Sequence, residues 1–449
     1  MRKTFKYFFS WNKNDWKIKN VFNSELIYLI LFFTIGFLLL FFENKNLYFL
    51  VSGLILFLIS LFFLKKKYWK IIAITFVILI CILVKNLVQN FYLYENKEIA
   101  NLNLKVISKN NNYLIAKDLF FNKYLLKTKE NLNLYQGFQV SGVLEKIESN
   151  YSQYYLSENV KFQILNLKIN EWKSYDLRYF FFNYLSQKHV YKNYVIPIIF
   201  GYSAEDKNDL FKNLNDIGVI HLVVISGFHF SLIYLSIAKI TKKIDNSKII
   251  AFSLIFIYFL FVKKSPSVYR SILMIFFGFV FEKFQKFKKW NNNYLKIYLA
   301  FLFVILINKY YVLKLGFWFS FVVVIFIYLI NDFLKSFILS DIWKKVITFF
   351  LIWIISQILI IIFNKNNSLL SMLSLIIMAP VIEVLIISSL ILMPFKFLLN
   401  YLYLGFEEIV NLISKVSVLV KIEFIYQSEI LWTLLLFLIF IFGKKVKYC

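Results

Sequence analysis

The stretch "HLVVISGFHFSLIYL", residues 221–235, sets two of the chain's three histidines, His221 and His229, beside Ser226 and Gly227 in an otherwise apolar run. Ser226 and His229 are three apart, so on a helix they share one face. Two chemistries suit that pair. One is a nucleophile with its base, as in an intramembrane serine protease, which also needs donors for the oxyanion. The other is a hydrated path, because polar groups at membrane depth face a cavity or a bundle interior. Gly227 allows a helix break or a close approach of backbones. A plainer arrangement stays open, with Ser226 bonded to a backbone carbonyl and His229 to a neighbouring helix.

Two further clusters follow. In "KKSPSVYRSILM", residues 263–274, Ser265 is a good N-cap and Pro266 a good first helical residue. Ser267, Arg270 and Ser271 then share a face, and Lys263 and Lys264 stand before the helix as a basic mouth. Arginine is rare in this lysine-rich chain, occurring only at positions 2, 178 and 270. A guanidinium fork holds a phosphate through two N–H bonds, whereas lysine offers a point charge. A structural ion pair of Arg270 with Glu383 is the alternative. In "LGFWFSF", residues 315–321, Gly316 and Ser320 lie one turn apart. They suit either a pore lining or close helix packing through small residues.

The elements that must position these groups are membrane helices. The chain has 449 residues, is 60% hydrophobic and has a mean hydropathy of +0.66. A helix needs ~20 mostly apolar residues to cross a bilayer. Such runs open the sequence at 26–42, 47–64 and 69–87 and recur to residue 442, which predicts about ten crossings. The first run lacks a small-residue cleavage site and a second run follows at once, so it reads as an anchor. The net charge of +27 fits cytoplasmic loops that collect lysine. The basic segment "MRKTFKYFFSWNKNDWKIKN" places the N-terminus in the cytoplasm by the same rule. Cys81 and Cys449 offer neither a disulfide nor a metal-ligand spacing. No Gly-x-x-x-x-Gly-Lys-Ser/Thr loop is present, so the chain calls for no nucleotide, metal or other cofactor.

Residues 96–172 differ in kind. They are polar, with short alternating stretches bounded by Asn and Gly, such as "LNLKVISK" and "GFQVSGVLEKIE". Period-two alternation predicts strands, and five of them suit a small OB-like barrel on the outer face. Such barrels bind single strands through aromatics and basic groups. Lys105, Lys109, Lys117, Lys127, Tyr113 and Phe121 are the candidates, with solvated lysines and core aromatics as the plainer reading. Residues 173–218 read as amphipathic helices on the surface, and His189 as an interfacial residue. The fold class is therefore a mainly α, polytopic helical bundle with an inserted barrel. Its parts are 1–95, 96–172, 173–218 and 219–449.

The three clusters, in this order and after an outer barrel, resemble the ComEC family of competence membrane proteins. "DIGVIHLVVISGFHFSLI" matches that family's first signature at Gly218, His221, Ser226, Gly227 and His229. "SPSVYRSILM" matches the second, with Ser271 in place of alanine. "KLGFWFSF" matches the third in part, with Lys314 and Trp318 where the family has an acid and a glutamine. The resemblance covers about residues 90–400. It implies a channel that passes single-stranded DNA to the cytoplasm, and an enclosing membrane lipid. It also implies an outer DNA receptor, a cytosolic helicase-like motor and a separate nuclease as partners. Many members carry a metallo-β-lactamase-like domain, and the sequence is expected to lack it, since three histidines cannot build its two-metal site. A small-solute transporter is the rival class, because broken helices serve it too.

Overall fold

The computed structural model describes residues 21–22, 26–62, 69–92, 98–110, 113–128, 132–147, 152–202, 209–223, 227–244, 246–284, 288, 291–335, 337, 339–363, 366–368, 371–416, 419–421, 428–442 and 444–445. Three helices come first: α1 (Leu26–Asn44), α2 (Leu47–Phe62) and α3 (Trp69–Tyr92). The barrel follows, and the rest of the described chain is helical apart from two short antiparallel pairings, Val21–Phe22 with Lys444–Lys445 and Asn366–Ser368 with Leu419–Lys421. Among the described residues two helices are long and apolar enough to cross a membrane, at Leu315–Leu334 and Asp341–Ile362. Several shorter apolar helices accompany them, such as Ser247–Phe261 and Asn293–Ile307. At about 1.5 Å per residue, a helix of that length falls short of a ~30 Å hydrocarbon layer. The chain is thus mostly helical and membrane-type in composition. Large apolar residues such as Phe57, Leu58, Phe76 and Val77 face outward from α2 and α3, as lipid-facing positions do.

The barrel has strands β1 (Glu98–Asn110), β2 (Tyr113–Lys117), β3 (Lys123–Leu126), β4 (Gln136–Lys146) and β5 (Val160–Tyr175), with a short helix α4 (Ser152–Ser157) before the last. They close in the order β1-β2-β3-β5-β4. Only β3 and β5 pair in parallel. β1 and β5 are longer than the alternating stretches suggest, and register shifts such as Val106/Ser108 bend them. At Gly142, inside the Ser141/Val143 register shift, a Cβ would lie 2.5 Å from the Leu165 carbonyl oxygen, so the strands approach there as only glycine allows. The interior is filled by Leu104, Val106, Leu114, Tyr124, Phe138 and Val140, among others.

After the barrel run α5 (Leu177–Ser186), a π-helical segment Tyr191–Phe200, α6 (Asp209–Asp216), α7 (Ile220–Val223), α8 (Gly227–Ile240), α9 (Ser247–Phe261) and α10 (Pro266–Lys283). Then come α11 (Asn293–Ile307), a 3-10 turn at Lys309–Leu313, α12 (Leu315–Leu334), α13 (Asp341–Phe363), α14 (Ser371–Ile391), α15 (Lys396–Val416) and α16 (Ser428–Phe442). One expectation needs correction. Residues 173–218 were read as surface helices, yet nine of the ten residues in Tyr191–Phe200 are buried. "YVIPIIF" is apolar on all sides, so no face of it prefers water. Pro197 removes an amide donor inside this segment, and Gly201, at φ 76°, ends it.

The helices build two apolar cores. One gathers α1, α11 and α12 with residues of α2, α3, α13 and α16. The other gathers the π-helical segment with residues of α6, α8, α14 and α15. α10 serves both: Val268 and Ile272 belong to the second core, and Phe277 and Phe281 to the first.

Candidate functional site

The three sequence clusters meet at Arg270. Ser265 caps α10, its hydroxyl accepting from the Val268 amide at 3.3 Å, and Pro266 occupies the first turn. One turn further in, Arg270 is 7% exposed. Its Nε donates to Ser320 Oγ at 2.7 Å, and its Nη1 lies 3.6 Å from Met274 Sδ. Across the seam is the first residue of α8: a Cβ built on Gly227 would overlap Arg270 Nη2 and lie 2.5 Å from Ser271 Oγ. The Ser271 hydroxyl is held by the Ser267 carbonyl at 2.7 Å, and Ser267 Oγ lies 2.9 Å from Ser265 Oγ. Gly227 is therefore where the guanidinium fits, and any side chain there would displace it. No described carboxylate lies within ion-pair distance of Arg270, so the alternative pairing with Glu383 does not form. Arg270 thus places a cation between two apolar cores with a hydroxyl and a thioether as its described partners. That environment favours an anionic ligand that brings its own charge.

The profile of the family described as "Competence protein" matches residues 198–444, which hold all three clusters. The chain belongs to the competence protein family, of the ComEC type. No curated protein and no solved structure matches the chain. Membership places it in DNA uptake during competence, and the apolar helices agree with a membrane protein. The family match leaves the barrel outside it.

The other residues of the competence clusters distribute as follows. His229 is fully enclosed by protein. Ser226 lies outside the described residues, as does the side chain of His221. Helix is described at Ile220–Val223 and again from Gly227, and the intervening residues 224–226 fall outside the description. Gly316 is exposed, and nothing lies within 4 Å of a Cβ added to it, so close packing is not its role. The two departures in the third cluster have structural explanations. Trp318 is 0% exposed among Phe33, Phe37, Phe317 and Trp432, with its Nε1 donating to the Val312 carbonyl at 2.7 Å. Lys314 pairs with Glu158 at 2.5 Å.

Around the N-terminal ends of α10 and α12 the lysines converge. Lys264 lies over the Phe259 ring, its Nζ 3.5 Å from the centroid, and donates to the Phe259 carbonyl. Burial, then the nearby Arg178 and Lys117, push its ammonium down to about 7. Lys263 is pulled below its ordinary value by burial, against the attraction of Glu158. Lys123 of the barrel is pushed down to about 8, again chiefly by burial.

The barrel candidates separate. Lys105 pairs with Asp176 at 3.1 Å, and Tyr113 packs edge-on against Tyr155 at 5.9 Å. Lys109 is partly buried and Lys127 exposed. Lys117 sits over the Phe121 ring at 5.0 Å, and Phe121 is 72% exposed. Sequence reasoning missed Leu119 and Phe120, which share that exposed turn. Asp118 builds the turn, accepting from the Asn122 amide at 2.8 Å and from Tyr124 Oη at 3.0 Å. The signal was available, because "DLFFN" puts an Asx-type turn around three apolar residues. It also missed Lys123 and Glu158. Among the described residues, no group of three or more His, Cys, Asp or Glu is placed to hold a metal ion.

Proposed function

We propose that the chain is a multi-pass channel carrying single-stranded DNA from the outer face of the cell membrane to the cytoplasm. The observation that carries this reading is Arg270, a buried guanidinium at the seam of two cores with no described carboxylate beside it. A phosphate backbone passing that seam supplies the missing anion, and Gly227 keeps the space open for the arginine head. In this reading about ten crossings surround the path, with the N-terminus inside and the barrel outside. The parts keep the bounds 1–95, 96–172, 173–218 and 219–449. The strand order β1-β2-β3-β5-β4, with β3 parallel to β5, supports an OB-like barrel. Lys117 and Phe121 are the barrel's contacts with bases and phosphates, through charge and stacking. His221, Ser226, His229, Ser267, Ser271, Gly316 and Ser320 line or shape the path. The strand is handed from an outer receptor and drawn in by a cytosolic helicase-like motor, with a separate nuclease removing its complement.

The test is uptake of fluorescent single-stranded DNA by proteoliposomes, alongside protein level in cells. Arg270→Ala abolishes uptake with protein level unchanged, and Arg270→Lys keeps part of it. Losing one partner of a buried ion pair would instead cost about 3–5 kcal/mol and lower the protein level. A folded Arg270→Ala protein with full uptake overturns the reading.

A further inference from the structure

The barrel is fastened to the membrane helices beside the mouth. α4 docks on the turn Lys309–Leu313: Asn308 Nδ2 donates to the Ser157 carbonyl at 3.0 Å, and Lys161 Nζ lies 5.6 Å from the Tyr310 ring centre. The next residue, Glu158, is the centre of the contact. Its carboxylate meets Lys314 Nζ at 2.5 Å, and its backbone carbonyl accepts from Lys123 Nζ at 2.8 Å. Burial works to raise the Glu158 carboxyl. The ammoniums of Lys314, Lys263 and Lys123 outweigh it and hold the group below its ordinary value. The Glu158 carboxylate in turn favours the charged forms of Lys123 and Lys263. Lys314 is also the N-cap of α12, a helix start with no side-chain cap. Three ammoniums from three places in the fold thus act on a single carboxylate, and the one in contact with it stands at the start of a 20-residue helix. That donor set suits a phosphate as well as it suits Glu158.

We propose that Glu158 holds the place of a backbone phosphate among Lys123, Lys263 and Lys314, and that an arriving strand displaces it and unlatches the barrel from the outer ends of α10 and α12. The proposal rests on the DNA-channel reading and adds its regulation. Closed, the latch neutralises the mouth from within the protein. Open, it frees the lysines for the strand on the N-terminal side of Arg270. Because the competitor is part of the same chain, its effective concentration is high, and only a polyanion engaging several lysines at once displaces it.

The experiment uses full-length protein in lipid nanodiscs and a fluorescein-labelled 20-mer of thymidylate, read by anisotropy across a salt series. Glu158→Gln removes the competitor without removing a lysine. It is expected to bind about tenfold tighter than wild type, with a salt dependence steeper by about one released ion. Glu158→Asp keeps the charge but withdraws it, and tightens binding by a smaller factor. This variant serves if the glutamine protein fails to fold. Lys314→Gln weakens binding and abolishes the gain from Glu158→Gln. Binding in wild type with no gain in either Glu158 variant overturns the latch alone. No binding by wild type or any variant at low salt overturns the channel reading as well. A gain seen in phosphatidylcholine discs that vanishes in phosphatidylglycerol discs gives the site to a lipid headgroup and also overturns the proposal.

Discussion

Gly227→Ala adds one methyl group at the point where α8 meets α10. A Cβ there overlaps Arg270 Nη2 and stands 2.5 Å from Ser271 Oγ. The arginine head is the end of a flexible side chain and gives way first. Moving it breaks the 2.7 Å bond from Nε to Ser320, a hydrogen bond from a charged group worth about 1.5–3 kcal/mol. Ser271 is short and tied to the Ser267 carbonyl at 2.7 Å, so it must also rotate, at about 1 kcal/mol. The stability loss is therefore about 2.5–4 kcal/mol, enough to measure and small enough for a folded protein to survive. Loss of the arginine contact alone lowers uptake by about ten- to a hundredfold. The assay is the proteoliposome uptake above, with protein level as control. A second arm uses the pair Gly227→Ala with Arg270→Lys. Lysine lacks the fork that the methyl group strikes, so the double variant loses less than the two single effects added together. Unchanged uptake in folded Gly227→Ala, or strict additivity in the pair, refutes the argument that Gly227 exists to seat the guanidinium.

Two other outcomes follow from the same geometry. Burial depresses Lys264 to about 7 and Lys123 to about 8, while a bound phosphate raises both. Binding therefore takes up protons, and the affinity of the full-length protein for the thymidylate 20-mer falls as pH rises from 6 to 9, with a shallower salt dependence at the top; a flat profile refutes it. Trp318→Ala empties a site lined by Phe33, Phe37, Phe317 and Trp432, and costs about 3–5 kcal/mol in thermal unfolding in detergent, whereas a polar pore residue at 318 would leave the melting temperature unchanged.

Much of this was legible in the residues. Ser265 and Pro266 announce the start of α10 by local chemistry alone, and the structure caps the helix as that chemistry requires. The alternating stretches of the insert announce five strands, because burying one face imposes a period of two. What stayed hidden depends on partners distant in sequence. Ser320 reaches Arg270 across 50 positions and Lys314 reaches Glu158 across 156, and no local pattern encodes either. Trp318 reads as a departure from a polar motif, and only its neighbours on α1 and α16 show that it fills a core. The segment Tyr191–Phe200 was misplaced because its flanks are amphipathic, while its own residues are apolar on every side. The Asx-type turn at Asp118 was readable and went unread.

The sharing of α10 between two apolar cores has a consequence for cooperativity. Each core is a contiguous packed body, and α10 is the helix that contributes residues to both. Substitutions buried in different cores lie far apart without common partners, so their effects add. Substitutions on α10 have partners on both sides and do not add. Unfolding of the helical part then proceeds through two units coupled along one helix, and the cost of a buried substitution such as Trp318→Ala is read from the transition of the core that holds it. Arg270 sits on that coupling helix, where a charge that changes partners shifts the balance between the two units.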